Sequence, residues 1–251
     1  MFLGGFRLAV TLLTAIPLPG GKADGPPSRP VAGAAMIWAP VIGLLLGGAA
    51  AGVLYVFQRF WHAGPLVGAV LAVIVLAVLT RCLHLDGLAD LADGLGSRGP
   101  AARALDIMRR SDIGPFGVAA LVLTVLLQVT ALTQAEALGR GVTSVITAAV
   151  TGRLAVTWAC RHGVAAARGE GLGALVAGTV HPAFPIAFSA AALGGAAAYG
   201  LIFVAAVAAG LAAALAVTRL AVRRLGGITG DVLGALTEIA TAVCLLVLAL
   251  S

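Results

Sequence analysis

Long apolar runs separated by short polar segments form the pattern of this chain. Seven of them approach the length of about 20 residues that a helix needs to cross a bilayer. They cover residues 33–58, 65–83, 115–138, 142–160, 183–200, 201–218 and 232–250. Because residues 183–218 contain no charge but are too long for one helix, we divide them at Tyr199-Gly200. The pattern predicts an all-α bundle of about seven transmembrane helices, forming one membrane-embedded domain over residues 1–251.

The N-terminal segment fits this pattern less well. Residues 1–19 are apolar and predict an eighth span or an interfacial or re-entrant helix. Arg7 lies in the middle of that run, whereas a secretory signal carries its positive charge ahead of its apolar stretch. Prolines recur from Pro17 to Pro30. Residues 18–32 are therefore predicted to form a Pro/Gly-rich loop.

Composition and charge support a membrane protein. Hydrophobic residues make up 61% of the chain and charged residues 10%, with a mean hydropathy of +1.08, whereas about a quarter of a soluble domain is charged. Under seven spans most of the basic residues fall on one side, which the positive-inside rule places in the cytoplasm of a multi-pass cell-membrane protein. The net charge of +6 is then explained by orientation in the membrane, by attraction to anionic lipid and by phosphate ligands. No nucleic-acid partner is expected. The residues on that side are Lys22, Arg29, Arg81, Arg98, Arg103, Arg109, Arg110, Arg161, Arg168, Arg219, Arg223 and Arg224.

Three of the ten acidic residues lie within eight positions, directly after an apolar run. The spacing of Asp86, Asp90 and Asp93 places their side chains within about 60° on one helical face. Like charges repel at neutral pH, so the cluster predicts a bound divalent cation. His84 points away from this face in a regular helix, which favours a structural hydrogen bond over a role as general base.

Two further polar clusters fall on the same side of the predicted membrane. Asp106, Arg109 and Arg110 would share one face of a helix. Residues 226–234 form a glycine-rich turn that leads into a helix. Backbone N–H groups at Thr229-Gly230 would lie at the positive end of that helix, where they can bind a phosphate oxygen. Together the three clusters predict a site for a cation and a phosphate.

Two charged residues lie inside predicted spans. Arg153 and Glu238 are each seven residues from the cytoplasmic end of their helices, which places both about 10 Å deep. This equal depth permits an ion pair. The pair either neutralises itself as a packing device or forms the floor of a polar pocket beneath the aspartates.

The remaining glycines and cysteines are predicted to be structural. The pairs Gly43/Gly47 and Gly48/Gly52 have the spacing that permits close helix packing in lipid. The three cysteines are far apart in the sequence and show no CxxC spacing. We expect buried thiols and no metal site at Cys82, Cys160 and Cys244.

The polar clusters resemble the signature blocks of the cobalamin synthases, the adenosylcobinamide-GDP ribazoletransferases. The blocks occur in the family's order, and the resemblance extends from residues 16–19 to the last helix. The matching segments are His84–Gly94, Ile107–Gly117, Glu170–Gly173 and Gly226–Ala235, with Glu238. The chain departs from the family pattern in two places. Ala15 stands where an arginine is frequent, and Arg109, Arg110, Ser111 and Asp112 replace the common order Arg-Asp-Ser-Arg.

The resemblance implies a Mg²⁺-dependent transferase acting in the last steps of cobalamin (vitamin B12) biosynthesis. A hydroxyl of α-ribazole, or of its 5′-phosphate, attacks the phosphoryl group of adenosylcobinamide-GDP; adenosylcobalamin or its phosphate forms, and GMP leaves. Asp86, Asp90 and Asp93 are the expected catalytic residues and metal ligands, one of them accepting the ribazole proton. Asp231 is a further metal ligand. Phosphate contacts are assigned to Arg109, Arg110, Arg153, Thr229 and Gly230, and supporting roles to His84, Asp112, Glu170 and Glu238.

Other functions fit the spacing less well. CDP-alcohol phosphotransferases have an arginine where Asp90 stands, and intramembrane prenyltransferases need an asparagine, which this chain lacks. An ion-coupled transporter would bury its acidic residues near the midplane between repeats, whereas most acidic residues here lie at one predicted surface. Association into a homo-oligomer, or with other enzymes of the pathway, stays open.

Overall fold

The computed structural model describes residues 2–16, 18, 27–61 and 64–250, and these form eleven α-helices with two isolated β-bridges. The all-α prediction is confirmed. In chain order the helices are α1 (Phe2–Leu13), α2 (Arg29–Trp61), α3 (Pro65–Leu79), α4 (Leu83–Gly96), α5 (Ala101–Ile107), α6 (Pro115–Ala137), α7 (Gly141–Ala159), α8 (Gly171–Val176), α9 (Ala183–Ala197), α10 (Leu201–Leu225) and α11 (Gly230–Ala249).

Five of the described helices, α2, α6, α7, α10 and α11, are long and apolar enough to cross a membrane. The pair α3 and α4, bent by 87°, would add a sixth if it forms one span. Helix α9 has 15 residues, about 22 Å at 1.5 Å per residue, which is shorter than a hydrocarbon core of about 30 Å. The multi-pass prediction is confirmed, and the count of seven is approximate.

The N-terminal region excludes one of its two predicted alternatives, the eighth span, and departs from the predicted loop. Helix α1 has 12 residues, about 18 Å, and is too short to be an eighth span. Residues 29–32 were predicted as loop but are the first turn of α2. Pro30 is tolerated there because the backbone N–H that proline lacks would have no hydrogen-bond partner in the first turn of a helix. Residues 19–26 of the predicted loop lie outside the described residues.

Two chain breaks direct the helices. The division at Tyr199-Gly200 is confirmed: α9 ends at Ala197, and Gly200 adopts a φ of 116° before α10. Between α3 and α4, Arg81 and Cys82 adopt left-handed φ values of 54° and 56°, and the Cys82 N–H donates to the Ala77 carbonyl at 2.8 Å. This bend lies at the surface. Cys82 is therefore exposed and its predicted burial is wrong.

The centre of the bundle is α7, which is buried along most of its length and packs against α2, α10 and α11. A Cβ on Gly43 would lie 2.6 Å from the Ala149 carbonyl oxygen, and one on Gly47 2.9 Å from the Ile146 Cα. Close packing is confirmed for this pair. It is wrong for Gly48 and Gly52, where an added Cβ would meet no atom of another described segment within 4 Å. Gly48 follows Gly47 directly and therefore faces about 100° away from it.

Candidate active site

Helix α4 carries its aspartates from the surface into the bundle. Asp86 is exposed, Asp90 is partly buried and Asp93 is buried. The helix crosses the start of α11 at two glycines: a Cβ on Gly87 would lie 2.7 Å from the Asp231 carbonyl oxygen, and one on Gly234 3.1 Å from the His84 Cα. Because only a hydrogen separates the two backbones there, α4 brings its first two aspartates close to Asp231.

Asp86, Asp90 and Asp231 form what we call the acidic group. Asp90 lies on α4, outside the five long spans. Burial first, and then the negative charges of Asp86, Asp231 and Asp93, raise the pKa of Asp90 to about 6, and only the Arg168 charge acts in the opposite direction. The carboxylates therefore act on one another electrostatically, and a cation bound among them would relieve their repulsion.

Asp93 has a different set of partners. Its Oδ2 accepts a hydrogen bond from the Gly114 N–H at 2.7 Å, and its Oδ1 accepts one from the Gly117 N–H at 2.9 Å. These N–H groups lie at the start of α6, where a negative charge is favourable. The geometry therefore gives Asp93 a structural role in holding α4 against α6, and its role as a metal ligand stays a prediction.

A cavity of about 300 Å³ lies between α4, α8 and the start of α11. Thr229 caps the start of α11: its hydroxyl oxygen accepts a hydrogen bond from the Val232 N–H at 3.2 Å, and its O–H donates one to Asp231 Oδ2 at 3.2 Å. The glycine-rich turn before a helix is thus confirmed. The lining residues are Leu83, Asp86, Arg168, Glu170, Gly171, Leu172, Gly173, Ile228, Thr229, Gly230 and Asp231.

A wider, open groove of about 490 Å³ adjoins this cavity and shares Arg168 and Glu170 with it. Across the groove, Arg109 Nη2 lies 2.8 Å from Glu170 Oε1 in an exposed ion pair. Two sequence-predicted residues, Arg109 and Glu170, are therefore brought together here, 61 residues apart in the chain. Ala102, Leu105, Asp106, Ala167 and Gly169 complete the lining.

The short helix α8 is held over the cavity by the first residue of α2. Arg29 Nη2 donates to the Ala177 carbonyl oxygen at 2.7 Å, and its Nη1 donates to that of Ala174. A cation is favourable at carbonyl groups that end a helix. The start of α2 thereby fixes the position of one cavity wall.

The second polar cluster is not a continuous helix. Helix α5 ends at Ile107, and the chain turns as the Arg109 N–H donates to the Asp106 carbonyl at 3.2 Å and the Arg110 N–H to that of Ile107 at 3.0 Å. The predicted common helical face of Asp106, Arg109 and Arg110 is therefore wrong. Arg110 and Asp112 are exposed in this turn and line neither cavity.

Arg153 and Glu238 line one cavity of about 20 Å³, which is separate from the cavity that Asp86 and Asp231 line. That volume holds about one water molecule, and the phosphate contact of Arg153 stays a prediction. Within the described residues the two form no direct ion pair, and Gln128 Nε2 donates to Glu238 Oε2 at 2.7 Å.

His84 is buried at the crossing of α4 and α11. Both ring nitrogens are enclosed and have no hydrogen-bond partner among the described residues. The predicted structural hydrogen bond is therefore wrong. The His84 side chain is only 3% exposed, whereas Asp86 is exposed. The imidazole ring therefore lies deeper in the bundle than the Asp86 carboxylate.

Magnesium suits these residues when a phosphate is bound with it. In the described part of the chain no three His, Cys, Asp or Glu side chains are grouped closely enough to hold a metal ion by themselves. Mg²⁺ usually keeps several waters and binds one or two carboxylates together with substrate phosphates. Asp86 and Asp231, which line one cavity beside the Thr229 hydroxyl, match that oxygen-donor set.

Sequence reasoning missed Arg168 as a site residue. Its Nη1 lies 4.0 Å from Asp231 Oδ2, and its side chain lines both the cavity and the groove. The available signal was its position two residues before Glu170 in a glycine-rich segment. Its partner is 63 residues away, so only the fold reveals the pair.

Fold and site together define a multi-pass helical membrane protein with acidic and basic side chains around a cavity at one end of the bundle. The chain belongs to the cobalamin-5-phosphate synthase family, whose model matches residues 5–249. This confirms the resemblance seen in the sequence blocks.

Several relatives carry one name, adenosylcobinamide-GDP ribazoletransferase. The chain is 45% identical to that of Frankia casuarinae, over 98% of this chain and 94% of the relative. It is 40% identical to that of a Nocardioides species, over 96% of each, and 36% identical to that of Escherichia coli, over 83% and 85%. No solved structure matches the chain.

Proposed function

We propose that this protein joins adenosylcobinamide-GDP to α-ribazole, or to its 5′-phosphate, giving adenosylcobalamin, or its phosphate, and GMP, with Mg²⁺ as cofactor. The observation that carries the proposal is a single cavity lined by Asp86, Asp231, Arg168 and the first residues of α11. Membership of the family and the shared name of the relatives support the same reaction.

The reaction exchanges one phosphorus–oxygen bond. The ribazole hydroxyl oxygen bonds to the phosphorus on the corrinoid side, the bridging bond of the diphosphate breaks, and GMP leaves with the bridging oxygen. Bound Mg²⁺ would neutralise charge on the phosphate oxygens. Asp86 and Asp231 hold the metal in this proposal. Asp90 accepts the hydroxyl proton, because a carboxyl with a pKa raised to about 6 is suited to general-base catalysis near neutral pH.

The start of α11 supplies the phosphate contacts. Gly230 is the first residue of the helix and lines the cavity with Thr229, so the free N–H groups of the first turn are available to phosphate oxygens. Arg109 lies across the adjoining groove. That groove extends the site away from the acidic group, and we assign it to the nucleotide half of the substrate.

We also propose that this site faces the cytoplasm of a cell membrane. The excess of arginine on the same side supports this orientation. The orientation can be tested by labelling Cys82, which follows α3 at the end of the bundle that carries the site. Cys82 is exposed, whereas Cys160 and Cys244 are buried. A membrane-impermeant maleimide should label inside-out vesicles and spare intact cells, with a Cys82→Ser variant as the blank. Labelling of intact cells would overturn the orientation.

The activity is tested with protein purified into nanodiscs. Adenosylcobinamide-GDP and α-ribazole, or ribazole 5′-phosphate, are supplied with Mg²⁺ or with EDTA, and the corrinoid product and GMP are measured. Asp86→Asn and Asp90→Asn should each reduce turnover by at least about 100-fold, the loss typical of removing a general base or a charge-stabilising group. Arg224→Gln, a change at an exposed residue in the last turn of α10, should retain wild-type turnover.

Three outcomes would each contradict one part of the proposal. A folded wild-type sample that forms no corrinoid product with either acceptor would exclude the reaction. Full turnover in EDTA would exclude the metal while leaving the transfer in place. Substitution of Asp90 without effect would remove it as the proton acceptor.

A further inference from the structure

Arg168 is fixed in place by backbone pairing to the turn that begins α11. The Ala167 N–H donates to the Ile228 carbonyl at 3.0 Å, and the Ile228 N–H donates to the Ala165 carbonyl at 2.9 Å. Between them a Cβ on Gly227 would lie 2.4 Å from the Ala165 carbonyl oxygen. The two backbones are in direct contact, so the position of Arg168 relative to Asp231 is set by main-chain geometry.

The guanidinium of Arg168 has few partners for its degree of burial. Its side chain is 16% exposed. Nη2 donates to the Leu105 carbonyl at 2.6 Å, Nη1 is 4.0 Å from Asp231 Oδ2, which is too long for a hydrogen bond, and the buried Nε has no hydrogen-bond partner within the described residues. A guanidinium has five N–H donors. The two N–H groups of Nη1 and the second N–H of Nη2 are left for a ligand.

The second arginine of the groove is differently placed. Arg109 and Glu170 already form an ion pair, with side chains 50% and 76% exposed. A solvated, paired charge of this kind interacts weakly with a ligand. Arg168 lies where the cavity and the groove meet, and its electrostatic interactions are less screened by water.

We propose that Arg168 binds the diphosphate of the nucleotide substrate at the junction of the cavity and the groove, and that Asp231 is its partner only until cation and substrate arrive. This inference rests on the proposed function. Arginine suits the role because its planar donors bind phosphate oxygens in a bidentate manner. Arg168 and a cation compete for the charge of the acidic group, whereas both attract the diphosphate.

This competition gives the two ligands opposite responses to one substitution. In Arg168→Gln, GDP should bind at least about tenfold more weakly in the presence of Mn²⁺, since a hydrogen bond to a charged group is lost. Mn²⁺ alone should bind as tightly as to wild type or more tightly, because a positive charge beside Asp231 is removed. Mn²⁺ affinity is measured by electron paramagnetic resonance and GDP affinity by calorimetry, both in nanodiscs.

Two further variants complete the experiment. Arg168→Lys keeps the charge but not the bidentate donors and should fall between wild type and Arg168→Gln for GDP. Arg224→Gln should match wild type for both ligands. Parallel loss of Mn²⁺ and GDP binding in Arg168→Gln would mean that the residue only maintains structure, and unchanged GDP binding would likewise overturn the inference.

The two proposals fail separately. If the wild type binds GDP through Arg168 but forms no corrinoid product, the proposed reaction is wrong and the diphosphate site stands. If the wild type turns over and Arg168→Gln retains its KM for adenosylcobinamide-GDP, the reaction stands and the role of Arg168 is wrong.

Discussion

Gly87→Ala tests whether the approach of α4 to α11 builds the site. The new Cβ would lie 2.7 Å from the Asp231 carbonyl oxygen, and ordinary contacts begin at 3.4 Å. The three nearest atoms all belong to the Asp231 backbone, so no side chain can rotate away and the helices must separate. Such overpacking costs about 1–3 kcal/mol. Alanine returns about 1 kcal/mol of helix propensity, so the free energy of unfolding should fall by about 0–2 kcal/mol.

The effect on activity should exceed the effect on stability. A displacement of about 1 Å between catalytic groups can reduce turnover by about 100-fold, and the separation moves Asp86 and Asp90 away from Asp231. The assay measures product formation and thermal unfolding in nanodiscs. Gly234→Ala, whose Cβ would lie 3.1 Å from His84 backbone atoms, should give a smaller loss.

Gly48→Ala is the matched control. It makes the same change in a helix, but the new Cβ would meet no atom of another described segment within 4 Å. Its turnover should equal that of wild type and its unfolding temperature should be equal or higher. If Gly87→Ala behaves like Gly48→Ala in both measurements, the helix crossing does not position the acidic group and the reasoning fails.

Three further predictions concern single side chains. Asp93→Ala should lower the free energy of unfolding by about 2–4 kcal/mol, because two hydrogen bonds to a charged acceptor are lost, and it should leave the Mn²⁺ affinity within about twofold of wild type. Weakened Mn²⁺ binding at unchanged stability would instead identify Asp93 as a metal ligand. The wild-type kcat/KM should fall about tenfold per pH unit on the acidic side of about pH 6, since protonated Asp90 cannot accept a proton, and a bound cation can only move this fall to lower pH. A fall in kcat/KM centred above pH 7, or one that persists in Asp90→Asn, would count against Asp90 as the proton acceptor. Arg29→Gln should raise KM about threefold to tenfold through loss of the bonds that hold α8, with kcat less affected, and steady-state kinetics showing the reverse would exclude this positioning role.

The features that the sequence alone predicts depend on local interactions, and the features that only the fold reveals depend on long-range ones. Apolar runs are local, and lipid requires each spanning segment to satisfy its own backbone, so hydropathy alone predicted the helical class and most helix positions. The four-and-three spacing of Asp86, Asp90 and Asp93 is also local. The sequence blocks that carry the family resemblance were likewise visible without coordinates.

The tertiary structure decided which of these residues work together. Asp93 shares a helical face with Asp86 in the sequence pattern, but its carboxylate accepts hydrogen bonds from N–H groups at the start of α6, 21 and 24 residues away. Arg153 and Glu238 line a cavity that is separate from the one that Asp86 and Asp231 line. Arg168 reaches the site through backbone pairing with residues about 60 positions later. Contacts of this kind depend on how helices cross and where loops pair, and no local periodicity encodes them.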